Sequence, residues 1–182
     1  MVEVSARTAG TLVAAAGVAL GAPHALHALE YAGDPAAVVV HVVVPIALAG
    51  VLVAAGYLLA AGQLVPEGEV TRAFGWLLVG VAVLESVTAW MLAGVVVGGG
   101  SVADPTEALL NAATVGGLVG LLVGVYDGRV RHQQRYVDQL NRINNTLRIA
   151  SQELVHADSR EEIERAVCTR LTESDPYDSA WI

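Results

Sequence analysis

Lysine is absent from this 182-residue chain, and cysteine and phenylalanine occur once each. The single cysteine, Cys168, excludes an internal disulfide. There is no Cys-x-x-Cys, Cys-x-x-Cys-His or His-Glu-x-x-His pattern to mark a metal or haem site. Nor is there a glycine-rich phosphate loop or a paired nucleophile and base, so soluble enzyme chemistry has no support. The most informative shortage is of charge. Residues 8–29, 35–66 and 108–126 contain no Asp, Glu, Lys or Arg, and residues 73–103 contain only Glu85. Roughly 20 apolar residues carry a helix across a ~30 Å hydrocarbon core. A water-soluble helix is apolar on one stripe only, whereas these runs are apolar all round. The chain is thus expected to be an all-α membrane protein, its four transmembrane helices near residues 9–31, 36–62, 73–97 and 106–126. Short connections imply an antiparallel bundle. The first run is too long, and too closely followed by others, for a cleaved signal peptide.

With lysine absent, all ten basic residues are arginines and their distribution predicts the orientation. Arg7 precedes the first run, Arg72 lies between the second and third, and Arg129, Arg131 and Arg135 follow the fourth. The connections near Glu30 and near Ser101 hold none. Both termini are expected in the cytoplasm and two short acidic loops outside, in a multi-pass protein of the cell membrane. Asp34-Pro35 and Asp104-Pro105 are helix-start signals. Gly17 and Gly21, and Gly116, Gly120 and Gly124, recur every fourth residue, a spacing that lets helix backbones approach closely in lipid. Bundle packing is the simpler use of these glycines and dimerisation through the fourth span the other.

Character changes after Tyr126. Leu140, Ile143, Leu147, Ala150 and Leu154 alternate at spacings of three and four, the seam of a short coiled coil. Residues 127–158 are expected to be a cytoplasmic signalling helix, with a parallel homodimer as its simplest partner. Ser159-Arg160-Glu161-Glu162 is a capping box opening a further helix, Asp175-Pro176 ends it, and Ala180-Trp181-Ile182 suggests a strand. One helix and part of a strand cannot form a core, so residues 159–182 are expected to be an incomplete domain start. The arginines here are interspersed with acids beneath a membrane, which gives no case for nucleic acid.

The stretch from Leu140-Asn141-Arg142-Ile143-Asn144 through Arg160-Glu161-Glu162-Ile163-Glu164-Arg165-Ala166-Val167-Cys168, followed by Ser174-Asp175-Pro176-Tyr177 and Ala180-Trp181-Ile182, resembles the start of the GAF domain in haloarchaeal membrane signal transducers. These include sensor histidine kinases and bacterio-opsin-activator-like regulators. Gly124-Val125-Tyr126-Asp127 and the arginines after it resemble the exit of the last membrane helix in such kinases. The acidic composition, with a net charge of −8, is similar to that of proteins from extreme halophiles. The resemblance implies a membrane sensory module that relays a signal through a dimeric helix to a cytoplasmic output domain. It departs from those proteins in showing no kinase histidine box, no ATP-binding glycines and no helix-turn-helix, so no catalytic role is expected.

Polar residues within membrane helices are costly and therefore candidates for function. At ~1.5 Å rise per residue, His24, His27, His41 and Asn111 all come out roughly 6–12 Å outward of the span midpoints. Glu30, Glu107 and Asp104 stand just above. Glu85 sits near the midplane of the third span, where it is expected to be protonated or bonded to Ser86, Thr88, Thr114 or a histidine. His24, His27, His41, Glu30, Glu85, Glu107 and Asn111 form the candidate sensing cluster, with His27 and His41 expected to face each other. Pro45 lacks the N–H that would bind the His41 carbonyl, which adds a free acceptor there. Ordinary structural histidines are the plain alternative. A small redox protein holding Zn²⁺, Cu²⁺ or haem on His24, His27 and His41 is the other functional reading, although no cofactor is expected.

Overall fold

A computed structural model describes residues 4–28, 30, 31, 33–102, 104–156, 159 and 164. Among these residues the structure is all helical. Four helices are long and apolar enough to cross a membrane. The first is Ala6–His27, the second Pro35–Ala60, the third Val70–Val97 and the fourth Pro105–His156. A single 3-10 turn, Glu67–Glu69, leads into the third.

Each start has a local cause. The Ser5 hydroxyl accepts from the Thr8 N–H at 3.1 Å. The Asp34 carboxylate accepts from Ala36 and Ala37 at 2.9 and 3.2 Å, with Pro35 in the first helical position. Asp104 accepts from the Glu107 N–H at 3.0 Å ahead of Pro105. These bonds satisfy amides that a helix cannot satisfy itself. The second and third helices end at Gly62 and Gly99, whose φ angles of 69° and 79° favour glycine. Gln63 then donates to Leu58, and Gly100 to Val95, closing the last turns.

The bundle is two helical hairpins, each sealed by glycine. In the first hairpin, a Cβ on Gly56 would lie 2.5 Å from the Ala14 nitrogen and 2.7 Å from the Gly10 oxygen. One on Gly17 would lie 3.0 Å from the Ala49 oxygen, and one on Gly21 would lie 3.0 Å from Ala49 Cβ. In the second hairpin, a Cβ on Gly116 would lie 2.6 Å from the Gly80 oxygen, and one on Gly124 would lie 2.7 Å from Ala73 Cα. Gly120 faces Trp76 and Leu77. The glycine faces of the first and fourth helices are therefore filled from within the chain, by the second and third helices respectively.

The two hairpins meet through side chains. Val13 from the first helix and Leu52 and Leu59 from the second cluster with Leu77 of the third and Leu121 of the fourth. Leu52 also reaches within about 4 Å of the place a Gly117 Cβ would take. The opposite faces are apolar and exposed, as at Leu26, Tyr57, Trp90, Val97 and Leu122, which is the surface a lipid-facing bundle requires.

The chain divides into two units, Met1–Val130 and Arg131–Ile182. The bundle lies in the first. In the second, the fourth helix continues to His156. Leu140, Ile143 and Leu147 are exposed there, as are Tyr136 and Val137. The side chains of Ala150 and Leu154 lie outside the description, as do the expected capping box beyond Ser159, the helix after it, Cys168 and the GAF-like start, apart from Glu164.

Candidate functional site

One end of the bundle collects the polar side chains that the sequence placed at similar depth. Its frame is the second helix, which is not regular there. Val39–Val43 is a π-helical turn, in which the Val44 N–H reaches back to the Val39 carbonyl. Such bulges absorb an irregularity in the helix and are frequent at functional sites. The irregularity here is Pro45, which is buried and has no N–H to offer the His41 carbonyl. That carbonyl accepts instead from His24 Nδ1 at 3.2 Å. His24 is 1 % exposed and sits directly after Pro23 in the first helix.

A carbonyl only accepts, so the His24 proton is on Nδ1. The other ring nitrogen, Nε2, is buried with no hydrogen-bond partner among the described residues. Buried polar atoms are satisfied in the great majority of cases, and each exception calls for a reason.

The His41 ring turns the other way, across the hairpin boundary. Its Nδ1 donates to Glu107 Oε1 at 2.6 Å. Glu107 stands in the first turn of the fourth helix and is 8 % exposed. That position suits a carboxylate, because the unpaired amides at a helix start carry partial positive charge. Tyr31, from the connection between the first two helices, stacks on the His41 ring with centroids 4.8 Å apart and planes 14° from parallel. Its phenol is pushed above the usual value of 10.0, first by desolvation and then by the negative charges of Glu107, Glu30 and Asp104.

The candidate residues are not all gathered in. His24, His41 and Glu107 join in one chain of contacts. The His27 side chain is half-buried and forms no hydrogen bond among the described residues, so the histidine that engages His41 is His24, and it does so through the His41 backbone. Glu30 is exposed and acts on Tyr31 through its charge. Asn111 is half-buried, one turn along from Glu107. Glu85 is half-buried without a hydrogen bond among the described residues. Two of the expected partners of Glu85 are engaged elsewhere. Ser86 donates to the Ala82 carbonyl at 2.7 Å and Thr114 to the Leu110 carbonyl at 2.9 Å. A hydroxyl in a helix always has the carbonyl four residues back within reach, and that local bond prevails. Tyr31 was not among the sequence candidates; an aromatic beside Glu30, seven residues after His24, was the available signal.

The opposite end has its own ties. The Val4 N–H donates to Thr71 Oγ1 at 3.1 Å, joining the start of the first helix to that of the third. Arg72 Nε donates to Asp127 Oδ2, joining the third helix to the fourth. Glu69 is buried beside them, and a Cβ on Gly128 would meet its Cβ at 3.2 Å. These contacts bracket the Tyr126-Asp127-Gly128 stretch where the composition changes.

Among the described residues, no group of three or more His, Cys, Asp or Glu side chains is placed to hold a metal ion. The arrangement can move or hold a proton, and it can transmit force between helices.

Four helices long and apolar enough to cross a membrane, the last continuing well past its apolar region, define a multi-pass membrane protein. Residues 9–136 match the family described as the archaeal 4TM region of histidine kinase, and the chain belongs to that family. The matched region is the input part of such kinases and not their catalytic part. No curated protein and no solved structure matches the chain.

Proposed function

We propose that this chain is the sensory input module of a membrane signal-transduction protein, which passes a signal from the outer face through the fourth helix to a cytoplasmic output domain. The observation that carries this reading is the fourth helix itself. One helix, Pro105–His156, bears Glu107 in its first turn and the Leu140, Ile143 and Leu147 seam near its other end. Any displacement or rotation at Glu107 has a covalent, helical route to the seam. The arginine distribution supports an orientation with the His41–Glu107 end outside and the Arg72–Asp127 end in the cytoplasm. Paired with a second copy, the seam forms a parallel two-stranded coil. The GAF-like character of residues 159–182 fits an output domain in that position, and the chain itself performs no catalysis.

The input site in this proposal is the His24, His41, Glu107 and Tyr31 cluster. A relay by helix phase is testable by insertion. The chain is fused through residue 156 to a histidine kinase core, and residues are inserted between Val130 and Arg131. One inserted residue turns everything downstream by about 100°, whereas seven restore the phase to within about 20°. Autophosphorylation is expected to change several-fold with one added residue and to return with seven. Equal activity for both insertions would remove the helical relay.

A further inference from the structure

We infer that the ligand of the outer site is the proton, bound at His41 in a pair with Glu107 that ties the two hairpins together. The inference rests on the outer cluster being the input site, and it adds the identity of the input.

Three observations point the same way. The first is where the pair sits. Within each hairpin the helices are locked by backbone-to-backbone glycine contacts. Between hairpins the contacts are side-chain packing, and His41 to Glu107 is a charge-capable bond across that boundary. The second is access. The His41 side chain is 39 % exposed while that of Glu107 is 10 % exposed. The histidine ring is therefore the more open of the two partners. The third is His24. From the first helix, its Nδ1 donates to the His41 carbonyl on the π-turn, while its Nε2 is buried with no hydrogen-bond partner among the described residues. A buried imidazole nitrogen without a partner, on the ring that holds the His41 backbone, is an arrangement that a structural role alone does not require.

Proton binding is written simply. With Nδ1–H already directed at Glu107, the incoming proton goes to His41 Nε2 and the ring becomes an imidazolium. The pair then changes from a neutral donor facing a carboxylate, already a charge-assisted bond, to an ion pair that adds the attraction of two opposite full charges. Histidine is the residue type whose charge ordinarily changes between about pH 5 and 8. Binding of the proton therefore strengthens the tie, and its loss weakens it.

The other groups that act on His41 are His24 from the first helix, Tyr31 stacked on the ring, and Glu107 from the fourth helix. Glu30, Asp34, Asp104 and His27 stand at the same end. The third helix offers nothing that titrates here, since residues 86–103 contain no ionisable side chain.

The test uses the full chain in lipid nanodiscs, with Cys168→Ser and spin labels at Ile46 and Val119, exposed positions on opposite hairpins. The label separation is recorded from pH 5 to pH 8. The expected result is a reversible shift to wider separation as pH rises. H41Q is expected to hold the wide distribution at every pH, E107Q to lose most of the response, and H27Q to keep it. A wild-type distribution that does not change with pH overturns the inference even if no variant folds. So does an H41Q protein that still responds, or a response that follows salt concentration at fixed pH. Failure of the kinase-fusion test with this pH response intact would fault the relay and leave the proton site standing.

Discussion

The glycine seam of the second hairpin makes a prediction whose sign differs between two positions of one helix. Gly75 and Gly80 both lie in the third helix, Val70–Val97. A Cβ built on Gly75 meets nothing within 4 Å, whereas one built on Gly80 would lie 2.8 Å from Gly120 Cα and still nearer the Gly116 oxygen. Both neighbours are backbone atoms, so neither can swing aside as a side chain would. Replacement by alanine adds the same helix propensity at both sites, up to about 1 kcal/mol. That gain cancels in the comparison. What remains is the overpacking at Gly80, for which about 1–3 kcal/mol is usual in well-packed interiors. Gly80→Ala is therefore expected to be less stable than Gly75→Ala by about 1–3 kcal/mol, a difference of roughly 5- to 150-fold in the unfolding equilibrium. Reversible unfolding in mixed micelles, followed by tryptophan fluorescence, measures both variants against the wild type. Gly75→Ala should match or exceed the wild type. Equal stability of the two variants would show that the third and fourth helices do not meet through these glycines.

Three further outcomes are expected. Cysteines introduced at Gly33 and Ser101 should react with an impermeant thiol reagent added outside intact cells, while Cys168 should not; external labelling of Cys168 would reverse the orientation. A cysteine at Leu147 should crosslink between chains more readily than one at Arg148, and equal yields would leave the seam without a dimer. The Tyr31 phenol should ionise above pH 10, read as phenolate absorbance lost in Tyr31→Phe. Glu107→Gln should bring it only part of the way down, since burial remains as the leading cause. A folded-state value raised in this way contributes stability that is present below the unfolded value and lost as pH climbs past it.

Chemistry along the chain was easier to read than rotation about each helix. The charge-free runs located all four spans, because no other structure hides so many uncharged residues from water. Asp34-Pro35 and Asp104-Pro105 marked starts that the carboxylates do cap. The first span stops at His27 instead of running to 31, since the Glu30 N–H turns back to the His27 carbonyl. The fourth does not stop at 126, because a helix needs no break to leave the membrane. Depth followed from the rise per residue, which set His24 and His41 in the outer halves of their spans and Glu107 just above, and contacts join His24 to His41 and His41 to Glu107. Azimuth did not follow. His24 and His27 are three residues apart and separated by only about 60° around the axis, so depth and spacing could not choose between them. The first-hairpin seam decides, because Gly17 and Gly21 against Ala49 and Val53 turn His24 toward the second helix. Gly10, Gly56 and Gly80 carry as much of the packing as the recurrent glycines but have no repeat of their own to announce them. Tyr31 stacks from a connection, where no periodicity applies.

The division into hairpins also explains why the polar contacts lie where they do. An alanine-sized change at a glycine seam is expensive, so neither hairpin opens easily along its length. Apolar side chains between the hairpins tolerate small sliding, because rotamers can adjust where backbone cannot. The soft coordinate of this bundle is thus the position of one hairpin against the other. Three polar ties act on that geometry. Val4 to Thr71 joins the hairpins at the arginine end, and Arg72 to Asp127 holds the second hairpin closed just where the fourth helix changes character. At the far end, His41 to Glu107 joins the hairpins again. Of these two cross-hairpin contacts, the second pairs an imidazole with a carboxylate. In the proposed input, Val4 and Thr71 serve as the fixed end, and loosening His41 from Glu107 tilts one hairpin on the other. The fourth helix, held to the third by Gly116, Gly120 and Gly124, must follow that tilt as part of a rigid pair.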